Sequence, residues 1–295
     1  MTLRPEALLR GLAVFFLAGA LSGCNSDYLF VSDPVFDTLF PASGEVSSAL
    51  STIARDLNVS IDRAPSLTME GPLGSQAREL LVSLEPKEGA ILSPLFFQEA
   101  SALAGSFPDL DFLLLTEAGR EAQLPENLLT LKFNRVEAFR TAGRVAADYL
   151  QEGDASVVLF ALLVNDDDRQ ESRAFEAELP EGAISQRFVY SRAPERETIR
   201  QQIVSLGEGP YLWAIFLRGD TAFALDLVAP REDPLIAEDL GPGSGYSDFL
   251  LGSIERPYLE AMGLGVAALE ESQINQTEIT VSAVFQDANN DAINN

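Results

Sequence analysis

Histidine is absent from the 295-residue sequence, and cysteine occurs once, as Cys24. Without imidazole, the chain lacks the Ser-His-Asp and Cys-His catalytic systems and any zinc site that relies on histidine. A single cysteine also excludes an internal disulfide. A carboxylate pair or a Ser-Lys pair remains available for catalysis, but 45 acidic residues make close carboxylates inevitable in any fold. We therefore expect a protein that is not an enzyme and has no cofactor.

Lysine is nearly as scarce, because Lys87 and Lys132 are the only two, and 20 basic residues stand against 45 acidic ones. The formal net charge is −25 and the isoelectric point is near 4.2. A protein of this charge repels phosphate backbones and anionic headgroups, so we expect no nucleic-acid partner. Any cationic contact with a ligand should come from the planar guanidinium group of an arginine.

The first 23 residues have the order of an export signal. Arg4 and Arg10 precede an apolar run over residues 12–21, and small residues precede Cys24. The run is shorter than the about 20 residues that a membrane-spanning helix needs, which favours its removal. Leu21-Ser22-Gly23-Cys24 resembles the lipobox of bacterial lipoproteins, which implies a lipid anchor on Cys24 in the bacterial envelope, at the outer face of the cytoplasmic membrane or at the outer membrane. An ordinary secretory signal is the alternative.

From residue 45 onward, apolar runs of strand length alternate with segments of helical period, which is typical of parallel sheets flanked by helices. Two such series meet near residue 152. We predict an α/β fold with two lobes, each a doubly wound parallel sheet. The predicted divisions are a signal peptide (1–23), a lipidated N-terminus with the first strand (24–44), an N-terminal lobe (45–152), a C-terminal lobe that crosses back to the first (153–285) and a polar tail (286–295).

The tract over residues 89–164 alternates strands and helices, and its second helix has the form E-A-x-x-x-A-G-x-x-A-A, with Glu137-Ala138, Ala142-Gly143 and Ala146-Ala147. It resembles class I periplasmic binding proteins, in particular the basic-membrane-protein family of lipoproteins that includes purine-nucleoside receptors. The resemblance implies two lobes that close on a small polar ligand, nucleoside- or sugar-like, and an ABC transporter permease as partner. Residues 36–41 and 164–166 depart from the family's nucleoside-binding pattern.

In open α/β sheets, ligands lie outside the carboxyl ends of strands, against helix N-termini. Competing structural roles are core packing for Phe96 and Phe97, helix capping for Asn134, and the tip of a β-hairpin for Arg218 to Asp220, which would join strands over 211–217 and 221–228. The rule selects nine candidate ligand-binding residues: Ser93, Phe96, Glu117, Asn134, Asn165, Asp167, Arg192, Arg218 and Asp220.

Two acidic segments, residues 165–168 and 287–291, have part of the oxygen spacing of a calcium loop, but both lack a complete ligand set, so we predict no metal site. Two other functions stay open beside solute binding. One is an envelope lipoprotein that binds other proteins on the same scaffold, with a degenerate ligand cleft. The other is a carboxylate-based hydrolase, which would need two acidic side chains about 5 to 10 Å apart in a cleft.

Overall fold

A computed structural model of the chain describes residues 26–40, 44–68, 70–117, 124–240, 248–271 and 278–288. The predicted signal peptide, Cys24, the Gly-rich segment 241–247 and most of the predicted polar tail lie outside these ranges. Within them, no helix combines the length and the apolar character that a membrane crossing requires. The described residues form two lobes, each built on a six-stranded sheet.

The first sheet is parallel throughout, and its inner strands are largely buried on both faces, as the continuous apolar runs in the sequence predict, whereas its two edge strands are partly exposed. Its spatial order is β11-β5-β4-β3-β1-β2. The strands are β1 (Tyr28–Val31), β2 (Ile61–Arg63), β3 (Gly89–Leu92), β4 (Asp111–Leu114), β5 (Leu128–Asn134) and β11 (Glu278–Ser282), and the helices of this lobe are α1 (Pro34–Leu39), α2 (Glu45–Leu57), α3 (Leu73–Leu84), α4 (Ala100–Ser106) and α9 (Tyr258–Glu270).

The second sheet has the order β12-β10-β9-β8-β6-β7, with an antiparallel edge strand, β12, on an otherwise parallel sheet. Its strands are β6 (Ser156–Leu162), β7 (Ile184–Tyr190), β8 (Tyr211–Phe216), β9 (Leu235–Glu238), β10 (Leu250–Glu255) and β12 (Val284–Asp287). Its helices are α5 (Val136–Gln151), α6 (Asp166–Glu176), α7 (Arg196–Ser205) and α8 (Thr221–Val228).

The chain passes between the lobes three times, after β5, between β10 and α9, and between β11 and β12. The first crossing lies at Arg135, earlier than the predicted boundary at residue 152. Helix α5 packs on the second sheet, because its small apolar face places Ala138, Phe139 and Ala142 against the buried side chains of β6 and β8. The predicted extent of the N-terminal lobe is therefore wrong by one helix.

Two predicted strands also differ from the structure. Residues 221–228 form helix α8 and not the second strand of a hairpin, since the buried residues Thr221, Ala224, Leu225 and Val228 recur at helical spacing. The alternating apolar and polar residues over 277–285 predict one strand, but residues 278–282 and 284–287 form two strands in different sheets. Ala283 separates them, and its backbone N–H donates to the carbonyl oxygen of Asn134 at 2.9 Å.

Candidate functional site

Two cavities of similar size lie along the junction of the lobes. One, of about 690 Å³, has a mainly apolar lining surface, to which residues of α2 and α9 contribute. The other, of about 670 Å³, lies at the carboxyl ends of strands from both sheets, where α/β folds bind ligands. We take this second cavity, called the cleft below, as the candidate site. Its charged and amide side chains are those of Glu117, Lys132, Asn134, Arg135, Asn165, Asp167, Asp168, Gln170, Glu171, Arg218 and Arg256.

The first crossing places a buried guanidinium group on the floor of the cleft. Arg135 donates from Nε and Nη2 to the two carboxylate oxygens of Glu171, at 3.1 and 2.5 Å, and from Nη1 to Glu238 at 2.5 Å. The side chains are 7%, 7% and 1% exposed, respectively. The guanidinium carbon also lies 5.2 Å from the ring centre of Phe139. This fork arrangement satisfies Arg135 and ties the first crossing to the second lobe.

The two carboxylates around Arg135 have opposite pKa shifts. Burial raises the pKa of Glu171, and the nearby Arg135 offsets that effect only in part. Burial also acts to raise the pKa of Glu238, but the guanidinium groups of Arg135 and Arg256 outweigh it and hold the pKa below its ordinary value. Glu238 is therefore the carboxylate that the network keeps ionised.

Arg218 reaches the cleft from the second lobe, where β8 ends. Its Nη2 donates to the carboxylate of Asp168, and its backbone N–H donates to Glu238 at 2.6 Å. The backbone of Arg218 has a φ of 54°, a left-handed conformation that is costly for a residue with a Cβ. Its Nε is buried without a hydrogen-bond partner among the described residues. The strained backbone and the unpaired Nε of Arg218 both reduce the stability of the fold, and such unfavourable features are typical of functional positions.

Asn165 and Asp168 form a capping box at the start of α6. Asn165 Oδ1 accepts from the backbone N–H of Asp168 at 2.8 Å, and the Asp168 carboxylate accepts from the backbone N–H groups of Val164 and Asn165 at 2.8 and 3.1 Å. This cap gives Asn165 and Asp168 of the acidic segment 165–168 a structural role. The described residues contain no cluster of three or more His, Cys, Asp or Glu side chains suited to a metal ion.

One ion pair crosses the cleft directly. Lys132, near the end of β5 in the first lobe, lies 2.8 Å from the carboxylate of Asp167, in the first turn of α6 in the second lobe. Both side chains are partly exposed, at 34% and 52%. Glu117 lies close enough to interact electrostatically with both, and with Arg218. Partial burial of its carboxyl group, chiefly, raises the pKa of Glu117.

The second crossing has an ion pair of its own. Arg256 lies 3.0 Å from the carboxylate of Asp239 and donates to the hydroxyl of Tyr258 at 2.9 Å. Burial of the phenol is the main cause of the raised pKa of Tyr258. Arg256 lines both cavities, so it connects the floor of the cleft to the apolar cavity.

Five of the nine predicted site residues line the cleft, and these are Glu117, Asn134, Asn165, Asp167 and Arg218. The capping role foreseen for Asn134 is present in part, since its Oδ1 accepts from the backbone N–H of Val136 at 3.2 Å.

The other four predicted residues lie elsewhere. Ser93 is fully buried and donates to Asp33 at 2.5 Å, and Phe96 is fully buried in the core of the first lobe. Arg192 is exposed in the loop after β7, outside the cleft, and Asp220 lies 3.1 Å from Arg196. The candidate site therefore excludes these four.

Sequence reasoning missed Phe97, Lys132, Arg135 and Glu171. Residues 94–98 form a 3₁₀ turn, which buries Phe96 and turns Phe97 toward the cleft. The sequence offered one signal for these residues: Lys132, one of only two lysines, lies between the apolar residues Leu131 and Phe133 of a strand.

No protein-family model matches the chain, and no curated protein matches its sequence. Solved structures do share its fold. A sugar-binding protein of a sugar ABC transporter from Bacillus halodurans aligns with a TM-score of 0.63 and 11% identity, over 90% of this chain and 98% of that one. A periplasmic ribose ABC transporter protein from Conexibacter woesei aligns with a TM-score of 0.60 and 14% identity, over 92% and 96%.

A transcriptional activator of the comK gene from Bacillus halodurans aligns with a TM-score of 0.59 and 12% identity, over 88% of this chain and 89% of that one. Identities this low establish a shared fold and nothing finer, and proteins with different described roles share it. The chain therefore has the two-lobed α/β fold of the class I periplasmic binding proteins, as its sequence predicted.

Proposed function

We propose that this protein is a solute-binding lipoprotein of the bacterial envelope, which captures a small polar molecule between its lobes for a membrane transporter. The observation that carries the proposal is the cleft itself. Its volume of about 670 Å³ is in the range of small-molecule sites, and side chains of both lobes line it. Two of the structures with the same fold are named as sugar or ribose transport proteins, which supports this class of function.

The positions of the cleft's polar groups also support ligand capture. Glu117 and Lys132 belong to the first lobe, whereas Asp167 and Arg218 belong to the second. A molecule that contacts both sets would favour the closed arrangement of the lobes over an open one, because only the closed state offers all of the contacts. Nucleoside binding, which membership of the basic-membrane-protein family would imply, remains a prediction.

Thermal unfolding of the mature protein in detergent, with panels of sugars, nucleosides and amino acids, tests the proposal. A ligand present at a hundred times its Kd should stabilise the folded state by about 2.7 kcal/mol, which is measurable as a rise in Tm. Glu117→Gln should reduce the rise, whereas the exposed Glu208→Gln should not. No rise with any compound would contradict solute binding.

The lipid anchor is a separate part of the proposal, because Cys24 lies outside the described residues. We expect mass spectrometry of the mature N-terminus to find acyl groups on Cys24, and Cys24→Ser to release the protein from the membrane fraction. Two or more acyl chains anchor a protein stably, whereas one does not. A free thiol at Cys24, or a retained leader, would refute the anchor and leave the cleft proposal standing.

A second candidate is an envelope protein-binding subunit whose cleft is degenerate. It is favoured by the ion pair between Lys132 and Asp167, which bridges the lobes without a ligand. Affinity purification of the mature protein distinguishes the two functions. Recovery of a transporter permease would support solute delivery, and recovery of envelope enzymes alone would support the second function.

A further inference from the structure

We infer that the cleft binds a zwitterion of the amino-acid type, with the ligand's ammonium group against Glu117, its carboxylate against Arg218, and an apolar side group between Phe97 and Val164. The inference rests on the proposed function, because it names the ligand class of the same cleft. It follows from which groups in the cleft are already paired and which are not.

All four cations in the cleft have a carboxylate partner, and that of Arg218 is Asp168. Arg135 is held by Glu171 and Glu238, Arg256 is held by Asp239, and Lys132 pairs with Asp167. A ligand anion that recruited Arg135 or Arg256 would leave a buried carboxylate unpaired, which is strongly unfavourable. These two groups therefore belong to the floor of the cleft and do not select the ligand.

Glu117 is the acidic side chain of the cleft that lacks such a partner. Its carboxylate makes no hydrogen bond or close ion pair with any described residue, and Lys132 is engaged by Asp167 across the cleft. The charged groups around it are Lys132 on β5, Glu278 on β11, Asp167 on α6 and Arg218 after β8. Burial raises the pKa of Glu117, because its charged form is poorly solvated. An ammonium group would supply the missing stabilisation.

Arg218 offers the complementary group from the opposite lobe. Its Nη2 is bound to Asp168, and its Nε is buried. Its Nη1 makes no hydrogen bond to a described residue and is not among the buried unpaired atoms, and the side chain is 38% exposed. A ligand carboxylate can therefore accept a hydrogen bond from Nη1 without displacing Asp168. Contacts to Glu117 and Arg218 together would bridge the two lobes.

The apolar part of the ligand is inferred from the rim. Phe97 of the first lobe and Val164 of the second are 40% and 43% exposed, and both line the cleft. An apolar side group placed between them would remove this surface from water. The net charge of −25 also favours a zwitterion over an anionic ligand, because it repels an anion but exerts no net force on a molecule without net charge.

Isothermal titration of the mature protein in detergent tests the inference with matched probes. The first set of probes is L-leucine with two analogues: 3-methylbutylamine, which lacks the carboxylate of leucine, and 4-methylpentanoate, which lacks the ammonium group of leucine. L-phenylalanine and L-methionine test other side groups. D-ribose and adenosine serve as neutral polar compounds. At least one amino acid should bind about tenfold to hundredfold more tightly than its analogues that lack one charge. Glu117→Gln should remove most of that difference, and Glu208→Gln should not.

The pH dependence provides a second measurement that is independent of folding defects. Binding should weaken as the pH falls through the raised pKa of Glu117, because the carboxylate is lost, and this weakening should be absent in Glu117→Gln. Binding of D-ribose or adenosine without any amino acid would overturn the inference and leave solute binding intact. Equal binding of an amino acid by Glu117→Gln would also overturn it, and no binding by any probe would count against both.

Discussion

Replacing Arg135 by alanine would remove the cation that neutralises two buried carboxylates. Glu171 and Glu238 are 7% and 1% exposed in their side chains, so water cannot readily take the place of the guanidinium group. Removal of one partner from a buried ion pair costs about 3–5 kcal/mol. We expect about 4 kcal/mol here, since Glu238 keeps the backbone N–H of Arg218, at 2.6 Å, as a donor. That loss is a large part of the about 5–15 kcal/mol that stabilises a typical domain.

Equilibrium urea unfolding of the mature protein measures this loss in the free energy of unfolding. The control is Arg200→Ala, because Arg200 is 54% exposed, pairs with Glu197 on the same helix and lies 6.0 Å from the ring centre of Phe223, so its loss should stay within about 1 kcal/mol. The deficit of Arg135→Ala should shrink as the pH falls, since Glu171 then becomes neutral and needs no cation. A loss below about 1 kcal/mol at neutral pH would show that the carboxylates are solvated or protonated without penalty, and would refute the reasoning.

Three further predictions concern packing, lobe closure and pH. Gly143→Ala should cost about 1–3 kcal/mol in urea unfolding, because a Cβ would lie 2.4 Å from the carbonyl oxygen of Phe175, whereas Gly105→Ala, with open space around it, should gain up to about 1 kcal/mol. Lys132→Met removes the ion pair with Asp167 that joins the lobes, so it should increase the fraction of molecules with open lobes, at a loss of at most about 1 kcal/mol in the free energy of unfolding. Fluorescence energy transfer between dyes on the two lobes measures this fraction, and an unchanged fraction would contradict the role of the pair in holding the lobes together. The pKa of Glu238 is lowered in the folded state, so its carboxylate stabilises the fold at neutral pH, and this stabilisation is lost as the pH falls through the lowered pKa. In Glu238→Gln the free energy of unfolding should therefore fall less steeply at acidic pH than in the unchanged protein. An unaltered pH profile would refute this role of Glu238.

The fold was predictable because most of its elements have a single apolar pattern. The run over residues 157–164 has too many consecutive apolar side chains for a surface strand, and residues 157–162 lie in the interior strand β6, which is buried on both faces. Residues 221–228 fit two periods at once, and the strand interpretation failed because alternation and helical spacing coincide in so short a segment. Helix α5 was assigned to the wrong lobe because an apolar face does not specify which sheet it covers.

The candidate site was less predictable, because its geometry depends on contacts between distant parts of the chain. The position rule for α/β sheets found Asn165, Asp167 and Arg218, which lie within five residues after the end of a strand. It could not pair Arg135, which follows β5, with Glu171 and Glu238, because these lie 36 and 103 residues further along the chain. Phe96 and Phe97 are adjacent in sequence, and only the 3₁₀ turn that contains them decides which one is buried.

The three crossings mean that neither lobe is a continuous stretch of the chain. The first lobe receives α9 and the edge strand β11 from the C-terminal part, and the side chains of Met262 and Val266 cover Leu113 and Leu129 of its sheet. Since synthesis begins at the N-terminus, this sheet keeps an apolar face open to solvent until nearly every residue has been added. A chain that stops before residue 258 would present that face to other molecules, and aggregation is its expected fate.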